Sequence, residues 1–382
     1  MSNQFRLISA DTHRRIYELG PEGKGLSARV IAAEVGCNHT TVLRYWKRPP
    51  SDPQPAGVEI EDDAADIRTL LRKGPKTAAE IADALDCSPR RVRERIEAQK
   101  ARGGLIIQHV DGSYDLGTPE TIEKTVTPIV ATDDIWNHRF GIVGDNHLCN
   151  KHSRLDVLNA AYDVFEREGI VNVLNGGNWI DGEHRFTKPE CIVRPGMDAQ
   201  IDYMLENYPQ RKGITTHYIA GDDHEGWYQQ RECIEIGRYL QMRAEAGGRQ
   251  DLKYLGYAEA DIELKSPGGS ITARLVHPGG GSAYATSYTD QKRVESYQGG
   301  EKPQIEIAAH YHKYNVGYPR EVYTVQSACT CDQTLFMRKK RLQAHVGFLI
   351  LEIQQDRTDG HLVRARHEFF PFYDRGYYEK RF

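Results

Sequence analysis

Five apolar, strand-like runs each end in side chains that ligate metals. HRFGIVGDNH delivers Asp145 and His147, and IVNVLNGGNWID delivers Asn178 with Asp181 after it. ITTHYIAGDDHE delivers Asp223 and His224, ITARLVHPGGG delivers His277, and PQIEIAAHYHK delivers His310 and His312. A single Asp or His after a strand is usually a turn residue or the start of a capped helix. Five in series are hard to obtain by chance, and ligands brought from several strand ends to one sheet edge are how an α/β chain builds a cleft.

The ordered set resembles the calcineurin-like metallophosphoesterases, whose motifs run D-x-H, G-D-x-x-D, G-N-H-D/E, a lone His and G-H-x-H. They stand here as Asp145-Asn146-His147, Gly177-Asn178-Trp179-Ile180-Asp181, Asp222-Asp223-His224-Glu225, His277 and Ala309-His310-Tyr311-His312, within residues 138–316. The resemblance implies an α/β sandwich of two sheets flanked by helices, with two divalent metals at the strand ends. One ion would take Asp145, His147, residue 178 and His312. The other would take residue 178, Asp223, His277 and His310. Asp145, Asn178 and His224 are the candidate catalytic residues, with His224 beside the scissile phosphate to stabilise charge or protonate the leaving oxygen. Two ions ~3.5–4 Å apart can clamp phosphoryl oxygens during in-line displacement. Mixed His/Asp/Asn ligation suits manganese, iron or zinc more than magnesium, and manganese is the first expectation. An imidazole is also the side chain most easily poised near neutral pH.

Two positions depart from the pattern. Residue 178, where the family has a bridging Asp, is Asn, and the family's Asn position is Asp223. One anion is lost and one gained. Either the exchange is native, or an Asp→Asn replacement was introduced at 178 to silence a nuclease, the reading preferred on sequence alone. A neutral amide bridges two cations poorly, so weakened binding of the metal pair is expected either way.

The elements ahead of these runs divide into segments. Residues 1–48 have a helical pattern and excess Lys and Arg. Ala28, Ile31, Ala32 and Val35 form an apolar stripe ending at Gly36. A second helix is expected from Asn38/His39, with Val42 and Leu43 inward and Arg44, Lys47 and Arg48 outward. This resembles a helix-turn-helix; the competing reading is a small helical bundle with a solvated basic face. Residues 49–65, rich in Pro and acid, read as a linker. Over 66–117, two helices, the basic RRVRERIEAQKARG and two short strands around Asp111-Gly112 resemble a winged helix. Arg90, Arg91, Arg93 and Arg95 would then contact phosphates or bases; such modules also dock proteins. Residues 118–137 read as a second linker, and from His138 a strand–helix alternation signals a larger α/β domain reaching residue 382.

Length and composition are consistent with this multidomain plan. The chain has 382 residues, 27% charged and 39% hydrophobic, with a net charge of −4 that excludes a generally basic nucleic-acid coat. No apolar run approaches a membrane span, and the first residues lack a signal-peptide core. Seven scattered cysteines point to a reducing cytoplasm rather than a disulfide framework, and Cys329/Cys331 read as unrelated thiols before a zinc pair. The aromatic and basic tail EFFPFYDRGYYEKRF could stack on single strands or pack on the domain. The function expected is a metal-dependent DNA nuclease with tandem duplex-binding modules, of phage or mobile-element type. The alternatives are a phosphatase or small-nucleotide phosphodiesterase with protein-docking modules, and a non-catalytic DNA-binding regulator with a retired site.

Overall fold

The structure, a computed structural model, describes residues 10–20, 24–35, 42–43, 67–117, 127–130, 137–184 and 187–372. The chain forms two compact units, Met1–Asp63 and Ala64–Phe382. In the first, helices Ala10–Leu19 and Ala28–Val35 bury Ile16, Leu19, Ala28 and Ile31 against Val42. Leu43, expected inside, is 47% exposed, so the inward face at that point is Val42 alone. The turn at Gly36, the start at Asn38/His39, and Arg44, Lys47 and Arg48 lie outside the described residues.

The second unit opens with a helix over 67–71, whose Ile67 and Leu71 are buried. Strand β1 (Lys76–Thr77) leads into helix Ala78–Ala84, started by a capping box in which Thr77 and Glu80 satisfy each other's backbone donors. Ser88 caps helix Pro89–Ala101, with Pro89 in its first turn and Val92 and Ile96 buried. Strands β2 (Ile106–Gln108) and β3 (Ser113–Leu116) form an antiparallel hairpin, and β1 pairs with β3. The turn uses Gly112 at φ +84° and the Asp111 carboxylate, which accepts from Ser113 N and Oγ.

The segment carrying this small sheet is docked on helix Glu225–Glu232 and the turn after it. Arg68 and Arg72 donate to the carbonyls of Glu232 and Arg231, capping the helix's C-terminal end. Leu105 N donates to the Cys233 carbonyl at 3.0 Å and Glu235 N to the Gly103 carbonyl at 2.6 Å.

Two six-stranded sheets make up the rest. In chain order the strands are β4 (Thr127–Val130), β5 (Asn137–Val143), β6 (Asn172–Asn175), β7 (Thr215–Ala220), β8 (Leu252–Tyr257), β9 (Glu259–Ser266), β10 (Gly269–Val276), β11 (Ile305–Ala308), β12 (Asn315–Gly317), β13 (Tyr323–Gln326), β14 (Gly347–Gln355) and β15 (Leu362–Pro371). One sheet runs β15-β14-β5-β6-β7-β8 and the other β12-β13-β11-β10-β9-β4. Strands β5 to β8 are parallel, and β10, β11 and β13 are parallel, so each sheet gathers C-terminal strand ends on one side. Residues 127–130 fall inside the segment expected as a linker; they instead pair with β9 as an edge strand, burying Ile129.

Alternation sorts each strand's side chains. Phe140, Ile142, Leu174, Ile219 and Leu349 face Ile262, Leu275, Ile305, Ile307 and Val325 of the other sheet. The opposite face of the first sheet is covered by helices Leu155–Arg167, Met197–Asn207 and Ile236–Ala246. Phe370 stacks on Phe348 at 4.8 Å and Phe369 on Tyr314 at 4.2 Å, so these aromatics of the tail pack on the domain. Residues 373–382 lie outside the described residues.

His217 on β7 gives a stability prediction. Its Nε2 sits 3.0 Å from Asn172 Oδ1, its Nδ1 is buried without a partner, and burial, with Lys253 nearby, lowers its pKa to about 4. The folded chain keeps this ring neutral where the unfolded chain, near 6.5, takes up a proton. Stability is therefore intact above pH 6.5 and falls as pH drops towards 4, by roughly 3 kcal/mol from this group. Denaturant titrations at neutral and acid pH should show His217→Gln losing correspondingly less stability across that window than wild type.

Candidate metal centre

The ends of β5, β6, β7, β10 and β11 come together across the two sheets. Small residues permit that approach: a Cβ on Gly176 would lie 2.6 Å from Ala309 Cβ. Beyond these ends the backbone is strained. Asp145 and His147 (φ +46°), Asn178 (+52°), His310 (+80°) and His312 (+55°) all occupy the left-handed region, at a typical cost of about 1–3 kcal/mol each. Five non-glycine residues held this way bring their side chains together.

The first cluster is Asp145, His147 and His312, whose candidate ligand atoms all lie within 4.8 Å of one another. His147 Nε2 is 3.0 Å from His312 Nε2, and His312 Nε2 is 3.6 Å from Asp145 Oδ1. Burial raises the Asp145 pKa to about 7, although His310 N donates to its Oδ2 at 2.8 Å. Burial lowers His147 to about 4 and His312 well below its ordinary value, so both rings are neutral and carry a lone pair.

The second cluster is Asp223, His277 and His310. His310 Nδ1 stands 3.3 Å from His277 Nε2 and 3.3 Å from Asp223 Oδ2. Hydrogen bonds orient these rings. His277 Nδ1 meets the Gly176 carbonyl at 2.7 Å, and His310 Nε2 meets the Gly280 carbonyl at 2.7 Å. Each donates to a carbonyl and leaves its other nitrogen free to accept, as metal-ligating histidines do.

Asn178 stands beside both clusters. Its Nδ2 donates to Asp145 Oδ1 at 3.2 Å, while its Oδ1 is buried with no hydrogen-bond partner. A Cβ on Gly221 would sit 2.4 Å from that Oδ1 and 3.1 Å from His277 Nε2, so the orphaned oxygen lies on the His277 side.

The first cluster fits a divalent ion: four atoms about 2.1 Å from one ion in a tetrahedron lie about 3.4 Å apart, close to its 3.0 and 3.6 Å spacings. The second is more open: His310 Nδ1 is 3.3 Å from each of its partners, but Asp223 and His277 do not bring ligand atoms within 4.8 Å of each other. Two neutral imidazole nitrogens facing at 3.0 Å, and a buried oxygen with no donor, are the features a cation would satisfy.

His224 adjoins the first cluster, its ring 4.3 Å from that of His147 and edge-on to it. Its Nδ1 donates to the Asp181 carbonyl at 2.6 Å and lies 3.5 Å from the Asp181 carboxylate. Burial opposes protonation here, but Asp181 more than offsets it and holds the His224 pKa at about 9.

No family model matches the chain, and no curated protein does. Among solved structures, a novel archaeal phosphodiesterase is 11% identical, covering 61% of this chain and 100% of its own, with TM-score 0.34. The zinc complex of Vps29 from Entamoeba histolytica is 14% identical, covering 61% and 99%, with TM-score 0.30. A novel phosphatase from Mycoplasma pneumoniae is 11% identical, covering 64% and 96%, with TM-score 0.33. Likenesses this distant carry no inference about activity.

The eight strand-end residues given a ligand or catalytic role from sequence, Asp145, His147, Asn178, Asp223, His224, His277, His310 and His312, thus lie together. Asp223 is its most open member, with a side chain 38% exposed. Two further residues had no role assigned from sequence. Asp181 accepts hydrogen bonds from His147 Nδ1 at 3.0 Å and Asn150 Nδ2 at 2.7 Å, and its carbonyl accepts from His224 Nδ1, so it orients both His147 and His224. Glu225, fully buried, accepts from Asn178 N at 2.8 Å and Gly221 N at 2.7 Å, tying two strand ends together. The motif G-D-x-x-D marks Asp181 and G-N-H-D/E ends on Glu225, but neither motif says what the carboxylate holds. Cys329 and Cys331 are buried, and Cys329 Sγ donates to the Cys331 carbonyl.

Proposed function

We propose that this chain is a divalent-metal-dependent phosphodiesterase of the metallophosphoesterase kind, acting on DNA. The observation that carries the reading is the Asp145, His147 and His312 cluster at ligand spacing, with the orphaned Asn178 oxygen and the Asp223, His277 and His310 group beside it. Divalent ions held there would supply Lewis acidity to a phosphoryl group; manganese, iron or zinc suits the donors. Asp145, His147 and His312 form one holder and Asp223, His277 and His310 the other, with Asn178 between. His224, protonated at neutral pH, donates a hydrogen bond to a phosphoryl oxygen or its proton to the departing oxygen. Asp181 keeps that ring charged and turned, and Glu225 fixes the backbone that presents Asn178.

DNA as substrate rests on the arginine-rich helix of the segment docked at the C-terminal end of helix Glu225–Glu232. On helix Pro89–Ala101, Arg90, Arg91 and Arg93 are exposed and Arg95 is half-buried. The Arg90–Glu94 ion pair, at 2.8 Å, is fully in solvent and easily exchanged for a phosphate. Replacing all four arginines by Gln should weaken duplex binding and flatten the slope of log affinity against log salt by about one for each phosphate no longer neutralised. An unchanged slope would remove this helix from the DNA-binding surface. No helix among the described residues is long and apolar enough to cross a membrane.

The deciding comparison is the rate on plasmid and linear duplex DNA against that on bis-para-nitrophenyl phosphate, with manganese added. Preferential cleavage of DNA supports the nuclease reading. Turnover of the small diester alone would favour a small-nucleotide phosphodiesterase, and no turnover of either a DNA-binding regulator.

A further inference from the structure

The loop 278–287 leaves the centre directly after His277 and returns as helix Tyr288–Ser296. It is pinned to the opposite strand end at two points: His310 Nε2 donates to the Gly280 carbonyl at 2.7 Å, and Lys313 Nζ donates to Ser282 Oγ at 2.8 Å. Three glycines, 279–281, make the approach, each with open space where a side chain would stand. Two residues past the Ser282 anchor, Tyr284 is fully exposed, at 106% of its reference area. Four residues further on, Tyr288 is 53% exposed. The helix it begins is fixed by Arg293, which donates to Asp290 at 2.9 Å and to buried Glu306 at 2.5 Å.

Single exposed aromatics are common on protein surfaces and carry no meaning alone. Tyr284 differs in its tether. It sits within two residues of a side-chain bond to the residue after His312, on a loop whose first residue follows His277. An exposed aromatic ring on a loop anchored to His310 and Lys313 has the chemistry of a base platform, because every nucleobase has a π-face to stack on it.

We propose that Tyr284 forms a nucleobase-stacking subsite that receives an unpaired base next to the phosphate held at the metal centre. The inference rests on the nuclease reading and deepens it: the preferred substrate is single-stranded DNA or a frayed duplex end. Tyr288 flanks the same loop and offers a second face. The hydroxyl is not needed for stacking, so the ring alone should suffice.

The test is binding of a single-stranded oligonucleotide carrying the fluorescent base aminopurine to the full chain, with metal chelated so that nothing is cut. Wild type should quench the fluorescence on binding. Tyr284→Phe should match it, and Tyr284→Ala should lose the quench and roughly tenfold in affinity. Equal quench and affinity for Tyr284→Ala, or no quench by wild type, would overturn the subsite. Plasmid cleavage with manganese separates the two readings. Quenching by wild type that cannot cut DNA refutes the nuclease and leaves the subsite standing. Cutting by wild type and Tyr284→Ala alike, with equal binding, does the reverse.

Discussion

Asn178→Asp is expected to raise occupancy of the metal pair and the rate of phosphodiester cleavage, while lowering stability when metal is removed. The amide now donates to Asp145 Oδ1 at 3.2 Å and leaves its own oxygen buried without a partner. A carboxylate there would offer one oxygen to each cluster and offset the repulsion between two cations, whereas the amide offers one neutral oxygen and an NH₂ that cannot ligate. Without metal, that second carboxylate would face Asp145, which burial already holds at about 7. Two such groups share a proton, and the chelated protein should melt at lower temperature. With manganese the order should reverse. Affinity for the pair should rise by at least about tenfold, the size of effect that even an outer-shell partner has. Manganese titrations, melting curves with and without chelator, and DNA cleavage by both forms check this. Equal activity would mean that the exchange is native and that Asp223 supplies the missing charge.

Asp181→Asn should cost nearly as much by a different route. The carboxylate orients His147 through Nδ1 at 3.0 Å and holds His224 protonated. Its own pKa is held far below the usual carboxylate range: burial opposes its ionisation, but the His147 and His224 hydrogen bonds outweigh that. Asn keeps the shape and removes the charge. Metal affinity should fall by about 10- to 100-fold as His147 loses its anionic acceptor. The protonated form of His224 persists up to about pH 9 in the metal-free wild type, and cations bound at His147 would lower that value, so activity that needs it declines at or below about pH 9. In Asp181→Asn the alkaline limb of the pH–rate profile should move down towards the ordinary histidine range. An alkaline limb that stays in place would show that His224 is not the group being read.

The convergence of the candidate ligands was legible in the sequence because strand ends announce themselves: apolar alternation stops, and Asp145, His147, His277, His310 and His312 follow at once. What positions them was less so. The left-handed backbone at five ligand positions falls on Asp, Asn and His, where glycine would have marked it. Glu225 acts by accepting two backbone N–H groups from separate strand ends, and a backbone donor leaves no trace in residue type. Strand β4 hides in a polar stretch because it is an edge strand that buries Ile129 alone among its residues of described burial. The docking of 67–117 is carried by two arginine–carbonyl bonds and main-chain pairing at Gly103 and Gly104, so no hydrophobic pattern signals it. Leu43 shows the converse, an apolar residue that periodicity places inside and the fold leaves in water.

The central claim is that the two clusters hold metal. Elemental analysis after loading with manganese and dialysis tests it most directly, on wild type and on the combined His277→Ala, His310→Ala and His312→Ala variant, with circular dichroism to confirm folding. The expected result is up to two ions per wild-type chain and a loss of bound metal in the folded variant. Metal at background in wild type, or unchanged in the variant, would contradict it and make these histidines structural.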